Sequence, residues 1–296
     1  NLVELIVETD RNRIGSKGIY YFSETGRSTV EIRTEPVVLD EFKFFLPENF
    51  QLKVKPEIIL NAEMEGKHLA LDMHLKENRQ GIDMQLLSEH LIEYLSDSTV
   101  TVSYDLSLNV DKINLEHWLD NPDFKYIIDG NITAQGEGLD PQTMNSKIKG
   151  DFGNTVLYGN KIQKLIADLN YQAGNVNGYV DGAGAFGSVY IKPDVRQIMG
   201  SRPLYNISMN TRKLNLAPIM GKGYETDVNL NALVNGSGFE LDKINAKSSI
   251  EMMPSNIMGI AIDTVDSKID FISQNVIINS FLVKALSAEM QASGNY

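Results

Sequence analysis

The stretch Tyr104-Asp-Leu-Ser-Leu-Asn-Val-Asp-Lys-Ile-Asn-Leu115 returns as Tyr205-Asn-Ile-Ser-Met-Asn-Thr-Arg-Lys-Leu-Asn-Leu216. Tyr, Ser, Asn, Lys, Asn and Leu recur in place at a shift of 101, since 205 minus 104 is 101. One residue is then dropped and the shift becomes 100, at which Gly136, Gly138 and Leu139 meet Gly236, Gly238 and Phe239. Asn145 and Lys147 meet Asn245 and Lys247, and Gly159 and Ile162 meet Gly259 and Ile262. Further along, Leu165, Leu169, Tyr171 and Asn175 meet Val265, Ile269, Phe271 and Asn275. A fixed internal period of this kind marks a repeat architecture, in which each unit completes its core against a neighbour.

Within the repeat the hydrophobic period is two. Val100, Val102, Tyr104, Leu106, Leu108 and Val110 alternate with Thr99, Thr101, Ser103, Asp105, Ser107 and Asn109. That spacing predicts a long antiparallel strand with one apolar and one wet side. The same phase returns at Tyr205, Ile207 and Met209, at Ile128, Ile132 and Ala134 against Val228, Ala232 and Val234, and at Leu165, Ala167, Leu169 and Tyr171 against Val265, Ser267, Ile269 and Phe271. The repeating unit therefore reads as a β-meander with one apolar face. Short helical turns are expected near Leu115–Leu119 and near Asp140–Asn145, where Asp140-Pro141 has the form of an N-cap followed by an N1 proline.

Working outward, residues 1–99 form an N-terminal β-rich segment and a candidate third, degenerate repeat; 100–203 are the first β repeat and 204–296 the second. Strands are expected at Leu2–Thr9, Gly18–Phe22, Ser28–Arg33 and Phe50–Leu60, with Pro36, Pro47 and Pro56 holding adjoining segments to edges or turns. Ile82–Leu95 reads as a helix through the stripe Leu87, Leu91, Tyr94 and Leu95, with a strand pair as the alternative. The fold class is mostly β. An elongated antiparallel sheet with so few helices must either close on itself or stay open as a U-shaped, taco-like groove with an apolar inner face.

The bulk numbers narrow the function. The chain has 296 residues and 42% hydrophobic content, enough for a sizeable folded body. Its 27 Lys plus Arg against 39 Asp plus Glu leave a formal charge of −12, which repels phosphate backbones and argues against nucleic acid. With no cysteine, disulfides, thiolate metal sites and cysteine nucleophiles are excluded. No apolar run approaches the roughly 20 residues of a membrane helix. The chain begins at Asn1 without a basic n-region or an h-region, so it reads as a piece of a longer protein whose membrane anchor is expected outside this segment.

Motifs for chemistry are weak. Gly182-Ala-Gly184-Ala-Phe-Gly187 fits the dinucleotide fingerprint, but Ser188-Val-Tyr-Ile191 reads as a strand where a helix is needed. A glycine turn is the better reading, and no cofactor is expected. His68, Asp72 and His74 share a strand face, yet the two histidines stand about 20 Å apart at the usual strand rise, so no metal site is expected. His90 and His117 are isolated, and no G-x-S-x-G, S-x-x-K or H-E-x-x-H occurs. Trp118, whose place in the second copy is taken by Ile219, reads as packing. No catalytic residues are assigned, and the chain is not expected to be an enzyme.

The two quoted stretches, together with Asn131-Ile-Thr-Ala-Gln-Gly-Glu-Gly-Leu-Asp140, Asn231-Ala-Leu-Val-Asn-Gly-Ser-Gly-Phe-Glu240 and Leu157-Tyr-Gly-Asn-Lys-Ile162, resemble the repeats of the AsmA/TamB-like envelope proteins. The resemblance covers about residues 100–296. It implies a periplasmic protein of the Gram-negative envelope, anchored in the inner membrane in its full-length form, with an apolar β-groove along which phospholipids pass towards the outer membrane. Family members have also been tied to outer-membrane protein assembly, which implies an outer-membrane assembly protein as a partner. Carried onto this chain, the groove lining is Val100, Val102, Tyr104, Leu106, Leu108, Leu165, Leu169, Tyr171, Tyr205, Ile207, Met209, Val228, Leu230, Val265, Ile269 and Phe271. The competing expectations are a structural or assembly module that binds another envelope protein through its sheet face or edge, and a hydrolase hidden among the acidic residues.

Overall fold

A computed structural model describes residues 2–21, 26–38, 53–220, 223–240, 242–272 and 274–295. Strands dominate it. In chain order they are β1 (Leu2–Glu8), β2 (Arg13–Ile19), β3 (Arg27–Thr34), β4 (Glu57–Glu65), β5 (His68–Glu77), β6 (Gln80–Glu89), β7 (Ser103–Asn114), β8 (Tyr126–Glu137), β9 (Asn145–Asp151) and β10 (Val156–Leu157). Then come β11 (Asn160–Gln172), β12 (Asn175–Gly184), β13 (Gly187–Arg196), β14 (Leu204–Leu214), β15 (Thr226–Ser237), β16 (Asn245–Met252), β17 (Ser255–Ile257), β18 (Ile260–Ile272), β19 (Asn275–Ala285) and β20 (Ala288–Asn295). The helical segments are short: α1 (Leu91–Ser96), α2 (Leu115–Leu119) and α3 (Ala217–Met220).

The chain divides into two compact units, one of residues 1–139 with 154–156 and one of residues 140–153 with 157–296. In the first, β1 to β8 form an antiparallel ladder in which each strand pairs with the next. In the second, β11 pairs with β9 and β12, the meander continues through β13, β14 and β15, β16 and β17 both bridge β15 to β18, and β19 and β20 follow. Sequence neighbours paired as hairpins satisfy the backbone polar groups locally, which is how antiparallel sheets grow without crossovers.

Several element bounds recur at a constant offset. Tyr126–Glu137 and Thr226–Ser237 differ by 100, as do Asn160–Gln172 and Ile260–Ile272. Backbone conformations recur with them: Lys112 (φ 49°) and Lys213 (φ 50°), Gly138 (φ 79°) and Gly238 (φ 76°), Tyr158 (φ 47°) and Met258 (φ 51°). Both lysines sit where the strand register shifts, between Val110 and Ile113 and between Thr211 and Leu214. Each places a non-glycine residue in the left-handed region, the extra residue of a β-bulge that bends the strand before a helical turn.

Five local expectations are revised. The strand expected at Gly18–Phe22 is β2, which runs from Arg13 and ends at Ile19. The one expected at Phe50–Leu60 is β4 from Glu57, and residues 50–52 lie outside the described residues. Ile82–Leu95 is not one helix. Its first part is β6, held on both sides by β5 and β7, and only Leu91–Ser96 is helical. The helical stripe there coexists with the period-two series Ile82, Met84, Leu86 and Ser88, and cross-strand pairing decides for the strand. The strand expected to begin at Val100 begins at Ser103, because the chain leaves α1 through a turn at residues 98–100. Finally, Asp140–Asn145 makes a turn rather than a helix: the Asp140 carbonyl accepts from Thr143 N (3.0 Å) and Met144 N (2.7 Å), and its carboxylate from Gln142 N (2.9 Å).

Candidate functional site

Cross-strand partners in an antiparallel ladder stand on the same face of the sheet, so register converts the period-two reading into rows. In the first unit one row runs Ile32, Leu60, Met73, Met84, Leu108, Ile132 from β3 to β8. The next but one runs Val30, Ala62, Leu71, Leu86, Leu106, Ala134. The row between them, on the opposite face, is Glu31, Asn61, Asp72, Gln85, Ser107, Thr133. The second unit behaves likewise. Tyr171, Val176, Val195, Tyr205, Gly236, Ala246 and Phe271 share one row, and Ile191, Met209, Ala232 and Ile250 another. The row Asn170, Asn177, Asp194, Asn206, Asn235, Lys247, Asp270 stands on the other side.

The candidate lining residues stand on the faces to which these apolar rows belong, with three qualifications. Tyr104, Leu106, Leu108, Leu165, Leu169, Tyr171, Ile207, Met209, Leu230, Val265, Ile269 and Phe271 are half-buried. Val100 lies in the turn before β7, and Val102, just outside the strand, is 1% exposed with its carbonyl accepting from Gly138 N. Tyr205 and Val228 are in strands but buried. Tyr205 packs with Val195 and Ala246, its ring stacks on Phe239 at 5.4 Å, and burial pushes its phenol above the ordinary range. Leu60, Leu71, Met73, Met84 and Leu86 stand in the same rows as Leu106 and Leu108 and were not assigned from the sequence. Their period-two signal was legible at Leu69–Leu75, but nothing in the sequence linked that segment to Tyr104–Val110; the pairing of β5 to β6 and β6 to β7 does.

At one end of strands β5, β6 and β7 the apolar face of the first unit is covered. Val54, Ile113 and Trp118 are buried together, with Leu75, Ile82, Val110, Leu115 and Ile128 against them. Gln80 Oε1 accepts from both Trp118 Nε1 (3.0 Å) and Asn114 N (2.6 Å), and the Trp118 carbonyl accepts from Lys53 N (2.9 Å). The packing reading of Trp118 is what this geometry describes.

The polar rows carry ion pairs. Lys17 Nζ is 3.3 Å from Glu31, Arg13 reaches Glu8 and Glu35, and Arg27 pairs with Glu63. Hydrogen bonds from Arg33 and then Lys17 hold the Glu31 carboxyl below its ordinary range. Shallow depressions of about 490 and 390 Å³ lie over this charged face, lined by residues such as Glu4, Arg13, Lys17 and Glu31, and Lys17, Thr29, Asn61 and Asp72. His68 and His74 each meet a carboxylate, Glu89 at 3.2 Å and Asp83 at 2.6 Å, on the neighbouring strand. Among the described residues no group of three His, Asp or Glu side chains converges to hold a metal, and no helix is long and apolar enough to cross a membrane. The glycine motif at 182–187 spans the β12–β13 hairpin, so a strand rather than a helix N-terminus follows it. Gly187 is required there: at φ 88° a Cβ would stand 2.2 Å from the Lys213 carbonyl oxygen.

No family model matches the chain, and no curated protein or solved structure is significantly similar to it.

Proposed function

We propose that this chain is a non-enzymatic segment of a periplasmic envelope protein, built from two copies of one β-meander and folded as an open groove whose apolar inner face carries phospholipid between membranes. The observation that carries the reading is the set of in-register apolar rows whose side chains stay half-buried: Leu60, Met73, Met84, Leu106 and Leu108 in the first unit, Ile191, Met209, Ala232 and Ile250 in the second. Contiguous apolar surface left accessible on a folded protein is the mark of a binding face. A lipid chain suits it because the rows are almost free of the convergent polar groups that a small-molecule pocket would present. The recurring bounds, bulges and left-handed residues support two copies of one meander, at residues 100–203 and 204–296. An inner-membrane anchor would belong to the parent protein outside this segment.

The test is native mass spectrometry of the segment purified from a Gram-negative periplasm, with bound lipids extracted and identified. Co-purifying phospholipid, lost in Leu106→Asp and Ile207→Asp with circular dichroism unchanged, is the expected result. A buried unpaired charge would unfold a closed core, so global unfolding of both variants would point to an ordinary interior instead. A clean apo mass would favour the second reading, an assembly module that binds an outer-membrane assembly protein by strand addition. That reading has its own observation, since β20 is exposed along its whole length.

A further inference from the structure

Among the described residues two long strands keep a free edge: β1, which pairs with β2, and β20, which pairs with β19. They are edges of different kinds. In the second unit the strands from β14 onward pair in the order β14, β15, β16, β18, β19, β20, and β1 to β6 likewise pair in order as a run of six. β6, β13 and β20 each follow a two-residue turn, with Glu77 opposite Gln80, Gly184 opposite Gly187 and Ala285 opposite Ala288. Twice the sheet continues from such a strand in one way. The last strand of a run takes the first strand of the next, β6 with β7 and β13 with β14, antiparallel and with their ends matched: Glu89 stands opposite Ser103 and Arg196 opposite Leu204. The free edge of β20 is that of a last strand, and the free edge of β1 is that of a first.

We propose that these two edges are partners, so that β20 of one copy of this chain pairs antiparallel with β1 of a second copy. The proposal rests on the recurrence of the meander and not on the ligand of the apolar face. The end-matched register of the two internal junctions sets Leu2 opposite Asn295, and with it Leu5 opposite Ala292 and Val7 opposite Met290. The faces then agree. Leu5 joins the apolar row of Ile32 through Ser16, and Met290 joins that of Val265 through Val283. A slip of one residue would set Leu5 against Gln291 or Ser293 instead. Leu5 (57% exposed), Val7 (44%) and Met290 (55%) are open to solvent in the single chain. Neither strand has the lysine or proline that guards natural edges. The one like-charged pair, Glu8 against Glu289, is neutralised within each copy by Arg13 (3.2 Å) and Lys284 (3.2 Å). A head-to-tail contact leaves one free edge of each kind at its ends, so copies add one after another.

The chain has no cysteine, so introduced thiols report on this contact alone. Leu5→Cys and Ala292→Cys, both at exposed positions, are made in separate chains, mixed and oxidised. Directly opposed residues stand about 4.5–5.5 Å apart, within reach of a disulfide, while diagonal ones at roughly 7–8 Å are not. Disulfide-linked dimer is expected in the mixture and in neither variant alone. It should form at least ~10-fold faster than when Met290→Cys replaces Ala292→Cys, because the diagonal pair needs backbone movement to close. The unsubstituted chain should sediment with a mass that grows with protein concentration, and Leu5→Lys, with circular dichroism unchanged, should return it to a single chain. Dimer from either cysteine variant alone would mean that an edge pairs with its own kind. A linked single chain from the double variant would mean that the edges meet within one copy. Either result overturns the proposal, as does a chain that stays single at every concentration and gives no linked dimer in the mixture.

Discussion

The strand pair β7–β8 with α2, in the first unit, and the pair β14–β15 with α3, in the second, follow the same backbone path, and the buried clusters described in them stand at different places along it. In the first, the buried cluster lies past the bulge, where Ile113 and Trp118 meet Val54. In the second it lies at the strand start, where Tyr205 packs with Val195 and Ala246 and stacks on Phe239. The position of Val110, which packs on Trp118 in the first pair, is taken in the second by Thr211, 0% exposed. Its hydroxyl donates to the Val228 carbonyl (3.1 Å) and accepts from Leu230 N (3.3 Å). The same ladder thus tolerates an apolar plug or a polar clasp beside the bulge. The lesson is that the rows are set by register, while the side chain beside a bulge of the same form is apolar in one pair and polar in the other.

The sharpest way to break this contrast is to remove the plug. Trp118→Ala should destabilise the first unit by about 3–5 kcal/mol, the usual range for deleting a large buried aromatic, with Trp118→Phe costing only about 1 kcal/mol for the lost indole hydrogen bond. Urea titrations of both variants check this. Similar small losses in the two would show that the cluster packs loosely. Next in size is the clasp. Thr211→Val keeps the shape but strips the hydroxyl from the Val228 carbonyl and the Leu230 amide, an expected loss of about 1–3 kcal/mol. If stability were instead unchanged, the bulge would be held by packing in both pairs and the contrast would vanish. The smallest effect tests the likeness rather than the difference. Left-handed geometry costs a non-glycine residue roughly 1–2 kcal/mol, while glycine adds about 0.5–1 kcal/mol of unfolded-state entropy. Lys112→Gly and Lys213→Gly should therefore each be neutral to slightly stabilising, and equal to one another, as read by thermal melts. Unequal shifts would mean that the two bulges are not the same device.

Much of the ladder was legible. The alternation Tyr104, Leu106, Leu108 against Asp105, Ser107, Asn109 specifies a strand with two unlike faces wherever it pairs, because successive side chains must point to opposite sides. The offset of 100 to 101 carried the same inference to Tyr205, Ile207 and Met209. The helical turn at Leu115–Leu119 was also readable; the span Ile82–Leu95 was not. Its Leu87, Leu91, Tyr94 and Leu95 fit a helix as well as Ile82, Met84 and Leu86 fit a strand, and local spacing cannot choose between them. Leu87 is now seen at 58% exposure on the charged face, so the stripe that suggested a helix buries nothing as one.

What the sequence by itself determined is therefore the strand-rich class and the two-faced alternation of strands such as β7. What only the tertiary structure decided is which strands stand side by side, and so that Leu60, Met73, Met84 and Leu108 form one row. It also decided which residues are buried: Val102 just before β7, Val228 and Tyr205 within their strands, the latter stacked on Phe239, and Trp118 against the strand ends. The physical reason is that periodicity is a property of one strand, fixed by its own backbone geometry. A row or a buried cluster depends on partners dozens of residues away, through hydrogen-bond register and the volume that a folded-back turn has left to fill.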